Sequence, residues 1–205
     1  AFICVESAPT LPPRLVRIDF KSGDVTVLAE PNAALARADF PETRFLEWTG
    51  TDGRAATGIL VLPKIPAKSP LPLVITTYRC RGFLTGSISQ LASEFMVAAH
   101  GMAALCVNFD NPNLLVTDSV GKRVPAGGVK VAAAAYAAII ERLAREGIID
   151  RARVGISGHS FGDMAVSYAL AHTNLFAAAV MGTGFSFDPA TFLLSAPTAD
   201  SARQG

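Results

Sequence analysis

The first part of the chain has a hydrophobic pattern typical of β-strands. Within residues 1–62, apolar and polar positions alternate in short runs, as in strands that bury one face of a sheet. Turns containing Gly and Asp separate the runs and predict hairpins. No helical pattern covers the first hairpin, so we expect its sheet to continue in sequence before residue 1. The predicted strands are residues 2–5, 15–20 and 25–28, followed by 44–48 and 55–62.

The pattern changes after a proline-rich stretch. Residues 63–72 contain four prolines and predict a loop, because proline lacks the backbone donor that a strand needs. Beyond it, apolar strands and amphipathic helices alternate, which predicts a parallel sheet with helices on its faces and therefore an α/β fold. The predicted strands here are 73–77, 103–109, 153–157 and 176–181, and the predicted helices are 88–100, 129–146 and 162–171.

Composition and charge narrow the class of protein. Half of the 205 residues are hydrophobic, which is enough for a substantial buried core. The net charge of +1 gives no electrostatic argument for nucleic acid or an anionic membrane as a partner. No apolar run is long enough to span a bilayer, and the first residues lack the layout of a signal peptide.

The three cysteines, Cys4, Cys80 and Cys106, are odd in number and far apart. They exclude a fully paired disulfide framework and have no zinc-site spacing, and they do not settle the compartment. The chain also lacks a P-loop, a dinucleotide-binding glycine motif and a glycosylation acceptor. We therefore predict no cofactor and no metal.

The strongest chemical signal is the segment Gly158-His159-Ser160-Phe161-Gly162. It follows a predicted strand and opens a predicted helix, which is the order of a nucleophile elbow. The turn is so sharp that side chains at positions 158 and 162 would collide with neighbouring backbone. Ser160 is then exposed at the apex, and the N–H of Phe161 can donate to an oxyanion beside it. The alternative interpretation is a glycine-rich turn with a serine cap.

A serine nucleophile needs a histidine base and a carboxylate that orients the histidine. His172 follows at the far end of the helix, about 15 Å or more from Ser160 at 1.5 Å per residue. His159 and His100 are interpreted as structural residues or pocket walls, and Asp163 as a carboxylate favoured by the helix dipole. We therefore expect the acid and base to come from sequence outside this chain, in a longer protein or a second chain, and the 205 residues alone to be inactive.

Several motifs together resemble the prolyl oligopeptidase family of serine peptidases. They are the hairpin turn Thr51-Asp52-Gly53, the strand 72–77, the pattern G-x-A-x-x-x-V-N at 101–108 and the pattern I-D-x-x-R-V-x-I-x-G-x-S-x-G at 149–162. The family has a β-propeller followed by an α/β-hydrolase domain. The resemblance implies that residues 1–30 end a propeller-like domain, that 31–43 form a linker, and that 44–205 form the N-terminal half of the hydrolase domain.

The loop after the first parallel strand departs from the family pattern. The family places there a tyrosine whose hydroxyl is the second oxyanion donor, but counting back from Gly82-Phe83 puts Cys80 at that place. The donor is therefore either the Tyr78 hydroxyl or an amide of the loop. Asp163 replaces a common glycine, and residues 109–112 replace an expected Arg-Gly.

This loop, Tyr78-Arg79-Cys80-Arg81-Gly82-Phe83-Leu84, is similar to that of the lasso peptide isopeptidases, a branch of the family. Arg79 and Arg81 either lie in a solvated loop or bind a carboxylate of the substrate, and His159 is a candidate wall of the substrate pocket.

The predicted function is cleavage of a peptide or isopeptide bond through an acyl-enzyme on Ser160. The alternatives are an esterase on the same fold and a non-catalytic binding module. The expected partners are a peptide substrate and the remainder of the hydrolase domain. The resemblance favours a periplasmic or secreted location, with a cytoplasmic one left open.

Overall fold

The computed structural model describes residues 1–64, 70–78, 80, 82–84, 93–108, 116–117, 123–124 and 127–182. Within these residues the chain forms two main sheets and one two-stranded ribbon. The strands are β1 (Phe2–Ala8), β2 (Leu11–Ile18), β3 (Val25–Ala29), β4 (Glu42–Thr49), β5 (Ala55–Leu62), β6 (Leu71–Tyr78), β7 (Ala103–Asn108), β8 (Val116–Thr117), β9 (Arg123–Val124), β10 (Ile149–His159) and β11 (Ala178–Gly182). The helices are α1 (Ala33–Ala36), α2 (Glu94–Ala99), α3 (Gly127–Arg145) and α4 (Phe161–His172).

The first sheet is antiparallel, in the order β1-β2-β3, and contains the predicted hairpin between β2 and β3. Strand β2 begins at Leu11 rather than at residue 15, so it includes Pro12 and Pro13. Both prolines fall where the register with β1 shifts and before pairing with β3 starts at Leu15. They are tolerated there because no regular ladder bond requires their missing N–H groups.

The second sheet has the order β11-β10-β6-β7-β5-β4. The four strands β11, β10, β6 and β7 are mutually parallel, while β5 and β4 are antiparallel additions at one side. Consecutive parallel strands are joined by helices in the sequence, because the chain must cross a face of the sheet to start the next strand in the same direction. The α/β architecture with a parallel core is therefore as predicted.

The predicted loop at 63–72 ends too late, because β6 already begins at Leu71. Strand β6 pairs with β10 at Leu71 and again from Leu73, and the register shifts between them. Its pairing with β7 starts only at Leu73. Pro72 therefore occupies the irregular position of the strand, where the absent N–H costs no regular bond.

Helices α3 and α4 cover one face of the second sheet with a large apolar cluster that includes Leu60, Ile75 and Leu105. Tyr136 of α3 is fully buried within it. The indole N–H of Trp48 donates to the Ala135 carbonyl oxygen at 3.0 Å and joins β4 to α3. Helix α2 lies on the other face, over a smaller cluster that includes Ile59 and Val97.

The observed helices and strands differ from the predicted ones mostly in the residues at which they begin and end. Helix α2 is described only over residues 94–99, and the predicted residues 88–92 lie outside the described part of the chain. Strand β10 begins at Ile149, earlier than predicted, because Ile149 already pairs with Leu71. Gly147 follows α3 with φ +69°, as expected of a glycine that ends a helix.

The I-D-x-x-R motif has a structural role at the start of β10. Asp150 accepts hydrogen bonds from the Ala152 amide at 2.9 Å and the Arg153 guanidinium at 2.7 Å. These bonds hold the pKa of Asp150 below its usual value. Arg153 also donates to the Pro70 carbonyl oxygen at 2.8 Å, which ties the beginning of β10 to the beginning of β6.

None of the helices, over the residues that the structure describes, is both long and apolar enough to cross a membrane.

Candidate active site

Ser160 is the single residue between β10 and α4. Strand β10 ends at His159 and α4 begins at Phe161, so the chain reverses direction at one residue. Ser160 has φ 56° and ψ −119°, and among the described residues it is the one non-glycine residue with a positive φ. Such a conformation costs about 1–3 kcal/mol and persists only where the surroundings impose it. Its side chain is exposed at the apex, as the nucleophile elbow predicts.

The two glycines of the motif are required by close backbone approach. A Cβ on Gly158 would lie 2.4 Å from the Gly162 carbonyl oxygen, and one on Gly162 would lie 2.6 Å from the Thr77 carbonyl oxygen. Both distances are far inside van der Waals contact, and both partners are backbone atoms that cannot rotate away. The predicted collision at both positions is therefore confirmed.

Backbone hydrogen bonds fix the elbow on both sides. The Ser160 amide donates to the Gly182 carbonyl oxygen at 3.1 Å, and the Asp163 amide donates to the Ser160 carbonyl oxygen at 3.0 Å. Ser160 thus lies at the carboxyl edge of the parallel strands, next to the end of β11. In open α/β sheets this edge is where ligands bind.

Phe161 is the first residue of α4, a helix of 12 residues. Amide groups in the first turn of a helix point toward its N-terminal end, where the helix dipole favours negative charge. This is the geometry expected of the Phe161 amide as an oxyanion donor beside Ser160.

The loop after β6 brings its described residues to the same edge. Tyr78 is the last residue of β6 and pairs with Asn108 of β7, while its side chain, like Arg79 and Arg81, lies outside the described part of the chain. Cys80 forms a disulfide with Cys106, and its amide donates to Asn108 Oδ1 at 2.8 Å.

This disulfide was not predicted from the sequence. A signal for it was present, because the predicted strands 73–77 and 103–109 are adjacent parallel candidates and each has a cysteine near its carboxyl end. The remaining cysteine, Cys4, is a free thiol on β1.

The chain's three histidines are all described, and two of them are remote from Ser160. His172 is at the opposite end of α4, where Nδ1 lies 2.8 Å from the Tyr168 carbonyl oxygen and the ring stacks on Tyr168. His100 Nδ1 lies 2.7 Å from the Met96 carbonyl oxygen of its own helix. His159 directly precedes Ser160 and is half-buried at the end of β10. No group of three potential metal ligands occurs within the described ranges.

Two buried side-chain hydrogen bonds involve the neighbouring threonines Thr76 and Thr77, which face opposite sides of β6. The Tyr136 hydroxyl donates to Thr77 Oγ1 at 2.5 Å, and burial raises the pKa of Tyr136. The Thr76 hydroxyl donates to the fully buried Glu94 carboxyl. Burial raises the pKa of Glu94, and the bond from Thr76 opposes that rise only in part. Neither pair was predicted from the sequence.

Comparison with known proteins supports the resemblance to the prolyl oligopeptidase family. The model of the prolyl oligopeptidase family matches residues 130–195, which include α4 and the elbow. The lasso peptide isopeptidase AtxE2 of Asticcacaulis excentricus is 31% identical over 192 residues. The chain is a relative of the prolyl oligopeptidase family. The resemblance inferred from its motifs is thereby confirmed.

Solved structures of this family have the same fold. The structure of AtxE2 without ligand superposes with a TM-score of 0.74 at 29% identity, over 87% of this chain and 29% of that chain. A variant of AtxE2 with the peptide Astexin3-dC4 bound gives a TM-score of 0.69. A puromycin-hydrolyzing peptidase of Mycobacterium tuberculosis, with a TM-score of 0.61 at 23% identity over 90% of this chain and 29% of that chain, shares the fold.

The match covers only part of these relatives. The chain aligns over 87% of its own length but spans 27% of AtxE2. The elbow and the parallel strands fall within the described part of this chain, and of the loop after β6 residues 80 and 82–84 are described.

Proposed function

We propose that the chain carries the nucleophile of a serine peptidase that cleaves a peptide or isopeptide bond. The observation that supports this most strongly is the strained backbone of Ser160 at a strand-to-helix turn where both flanking glycines contact backbone. A cap or simple turn has no need of that strain, whereas an exposed nucleophile gains a free approach to the substrate.

In the proposed reaction, Ser160 Oγ attacks the carbonyl carbon of the scissile amide while a histidine base takes the hydroxyl proton. The tetrahedral intermediate then expels the amine, which receives that proton, and leaves an acyl group on Ser160. Water hydrolyses the acyl-enzyme by the same base and frees the serine.

The proposed oxyanion donors are the Phe161 amide and a group of the loop from Tyr78 to Arg81. The Tyr78 hydroxyl or a loop amide would complete the pair. The Cys80 sulfur is bonded in the disulfide and carries no S–H to donate, so Cys80 would contribute through its backbone. A donor placed for the charged intermediate stabilises the transition state more than the substrate.

We propose that the acid and the base lie outside these 205 residues. The positions of His100 and His172 support this, since Nδ1 of each ring lies against a carbonyl oxygen of its own helix, away from Ser160. The exposed edge strand β11 supports a further partner for the sheet, because Val180 and Met181 are 59% and 51% exposed there. The remainder of the hydrolase domain is the proposed occupant of that edge.

The proposed substrate is a peptide, and more narrowly a lasso peptide. The similarity to AtxE2, whose structure was solved with a bound peptide, supports this class. Arg79 and Arg81 are proposed to bind a substrate carboxylate by charge-assisted hydrogen bonds, and His159 is proposed to line the pocket.

A cleavage assay on the whole protein tests the proposal. A lasso peptide, a linear peptide and a p-nitrophenyl ester are incubated with wild type, with Ser160→Ala and with the control Ser167→Ala in α4. The proposal expects peptide products from wild type and the control, and none from Ser160→Ala. Cleavage of the ester alone would favour the esterase, and no cleavage by a folded wild type would favour a binding module.

A further inference from the structure

Thr77 of β6 contacts both glycines of the elbow. In the sheet it pairs with Gly158 in the parallel register of β6 and β10. A Cβ on Gly162 would lie 2.6 Å from the Thr77 carbonyl oxygen and 3.5 Å from Thr77 Cγ2. The backbone and the methyl group of Thr77 therefore form a surface against which the turn around Ser160 packs.

The hydroxyl group of Thr77 is held by helix α3. Tyr136 of this helix donates a hydrogen bond to Thr77 Oγ1 at 2.5 Å, and both residues are buried. The side chain of threonine branches at Cβ, so one torsion angle places Oγ1 and Cγ2 together. The bond that fixes Thr77 Oγ1 therefore also fixes the methyl group that lies beside Gly162.

Tyr136 also contacts the segment on the other side of β10. The sheet order places β10 between β6 and β11. The ring of Tyr136 meets that of Phe176 edge to face, with centroids 6.0 Å apart, shortly before β11 begins at Ala178. At the far end of β11, the Gly182 carbonyl oxygen accepts the hydrogen bond of the Ser160 amide. One side chain of α3 thus contacts the segments on both sides of the nucleophile strand.

Tyr136 keeps its proton in the folded protein. Burial raises the pKa of its hydroxyl, and the bond to Thr77 opposes that rise only in part. The hydroxyl is therefore a donor to Thr77 at neutral and mildly alkaline pH. Any effect of Tyr136 on hydrolysis would come from the placement of the elbow and would leave the shape of the pH profile unchanged.

We propose that Tyr136 is a positioning residue for Ser160 and acts through Thr77. This inference rests on the proposed peptidase function. The bond between Tyr136 and Thr77 fixes the surface that receives Gly162, and this packing helps to impose the strained backbone of Ser160. A nucleophile that is less well aligned reacts more slowly with a substrate that still binds, so kcat falls and KM changes little.

The test compares wild type with Tyr136→Phe, Thr77→Val and the double variant, in the whole protein and at a temperature where all are folded. A misplacement of about 1 Å can cost about 100-fold in rate. Loss of one bond in a packed core should move the elbow by less, so each single variant should lower kcat for a p-nitrophenyl ester about 10-fold, with KM within about twofold of wild type. Labelling of Ser160 by a fluorophosphonate probe should slow by a similar factor.

The double variant tests whether the two residues act through the same bond. Because each single change removes that bond, the double variant should lose no more kcat than the more affected single variant. The pH profile of kcat should keep its shape in all three variants.

The matched control is Trp48→Phe, which also removes a buried hydrogen bond of α3, the one to the Ala135 carbonyl oxygen. Trp48 lies on β4, which β5 and β7 separate from β6. Trp48→Phe should therefore lower stability in urea to a similar degree as Tyr136→Phe but leave kcat within about twofold of wild type.

The outcomes separate this inference from the proposed function. Wild-type kcat in folded Tyr136→Phe or Thr77→Val, additive losses in the double variant, or an equal fall of kcat in Trp48→Phe would overturn the inference and leave the proposed function intact. A folded wild type that neither hydrolyses the ester nor takes up the probe would overturn both.

Discussion

The elbow glycines allow a quantitative test within a single strand. Gly155 and Gly158 both lie in β10, but their surroundings differ. A Cβ on Gly155 would meet its nearest atom, the Ala178 carbonyl oxygen, at an ordinary 3.7 Å. A Cβ on Gly158 would lie 2.4 Å from the Gly162 carbonyl oxygen and 2.8 Å from Val166 Cγ2. The same substitution therefore makes ordinary van der Waals contacts at one position and collides with the backbone of α4 at the other.

The magnitudes follow from these distances. Replacing a strand glycine by alanine without strain stabilises the fold by about 0.5–1 kcal/mol. Overpacking against atoms that cannot move costs about 1–3 kcal/mol. Gly155→Ala should thus be neutral or slightly stabilising, whereas Gly158→Ala should lower stability by about 1–3 kcal/mol, or about 2–4 °C in melting temperature per kcal/mol.

Thermal melting of the whole protein measures both variants beside wild type. Gly158→Ala should also move Ser160 away from its position and reduce hydrolysis, while Gly155→Ala should remain active. Equal melting temperatures for the two variants would refute the argument that backbone contact at the elbow requires glycine.

Three further predictions concern buried polar groups. Tyr136→Phe removes the donor to Thr77 in the core and should lower stability by about 1–2 kcal/mol, measured by urea unfolding. Trp48→Phe removes the bond to the Ala135 carbonyl oxygen and leaves a small cavity, so a loss of about 1–3 kcal/mol is expected in the same assay. Because burial raises the pKa of Glu94, the folded state keeps a proton on Glu94 at pH values where the unfolded chain releases it. The contribution of this protonated carboxyl to stability is full below the unfolded pKa and is lost as pH rises through the folded pKa. Glu94→Gln should therefore raise the melting temperature relative to wild type at pH 7.5, with a difference that shrinks toward pH 4.5; an unchanged difference would contradict the cause given.

The sequence was most informative at positions where the local geometry allows only one type of residue. The glycines at 158 and 162 could be predicted because a sharp strand-to-helix turn excludes any side chain, and the structure has both in backbone contact. The alternation of strands and helices predicted the parallel core for a similar reason. Parallel strands need crossover connections, and these leave a periodic pattern in the sequence.

Other features depend on contacts between distant positions and leave no local pattern. The Cys80–Cys106 bond joins residues 26 apart, and it becomes visible only when β6 and β7 are known to be neighbours. The buried bond between Thr76 and Glu94 likewise requires α2 to lie on a particular face of the sheet. Pro72 was predicted to end a loop because proline lacks the backbone donor of a strand. The register shift that accommodates it in β6 is a property of the pairing with β10, which the sequence does not show.

The predicted domain boundaries at residues 30 and 43 and the roles of Arg79, Arg81 and His159 stay predictions. The two arginines lie outside the described residues, and the substrate contacts of His159 depend on a ligand.

Labelling with a fluorophosphonate probe tests the central claim most directly. The probe forms a covalent bond only with a serine that is activated as a nucleophile. In the whole protein, we predict that mass spectrometry finds the probe on Ser160, that Ser160→Ala abolishes labelling, and that Ser167→Ala retains it. A folded, intact protein that takes up no probe, or takes it up at another serine, would contradict the assignment of Ser160 as the nucleophile.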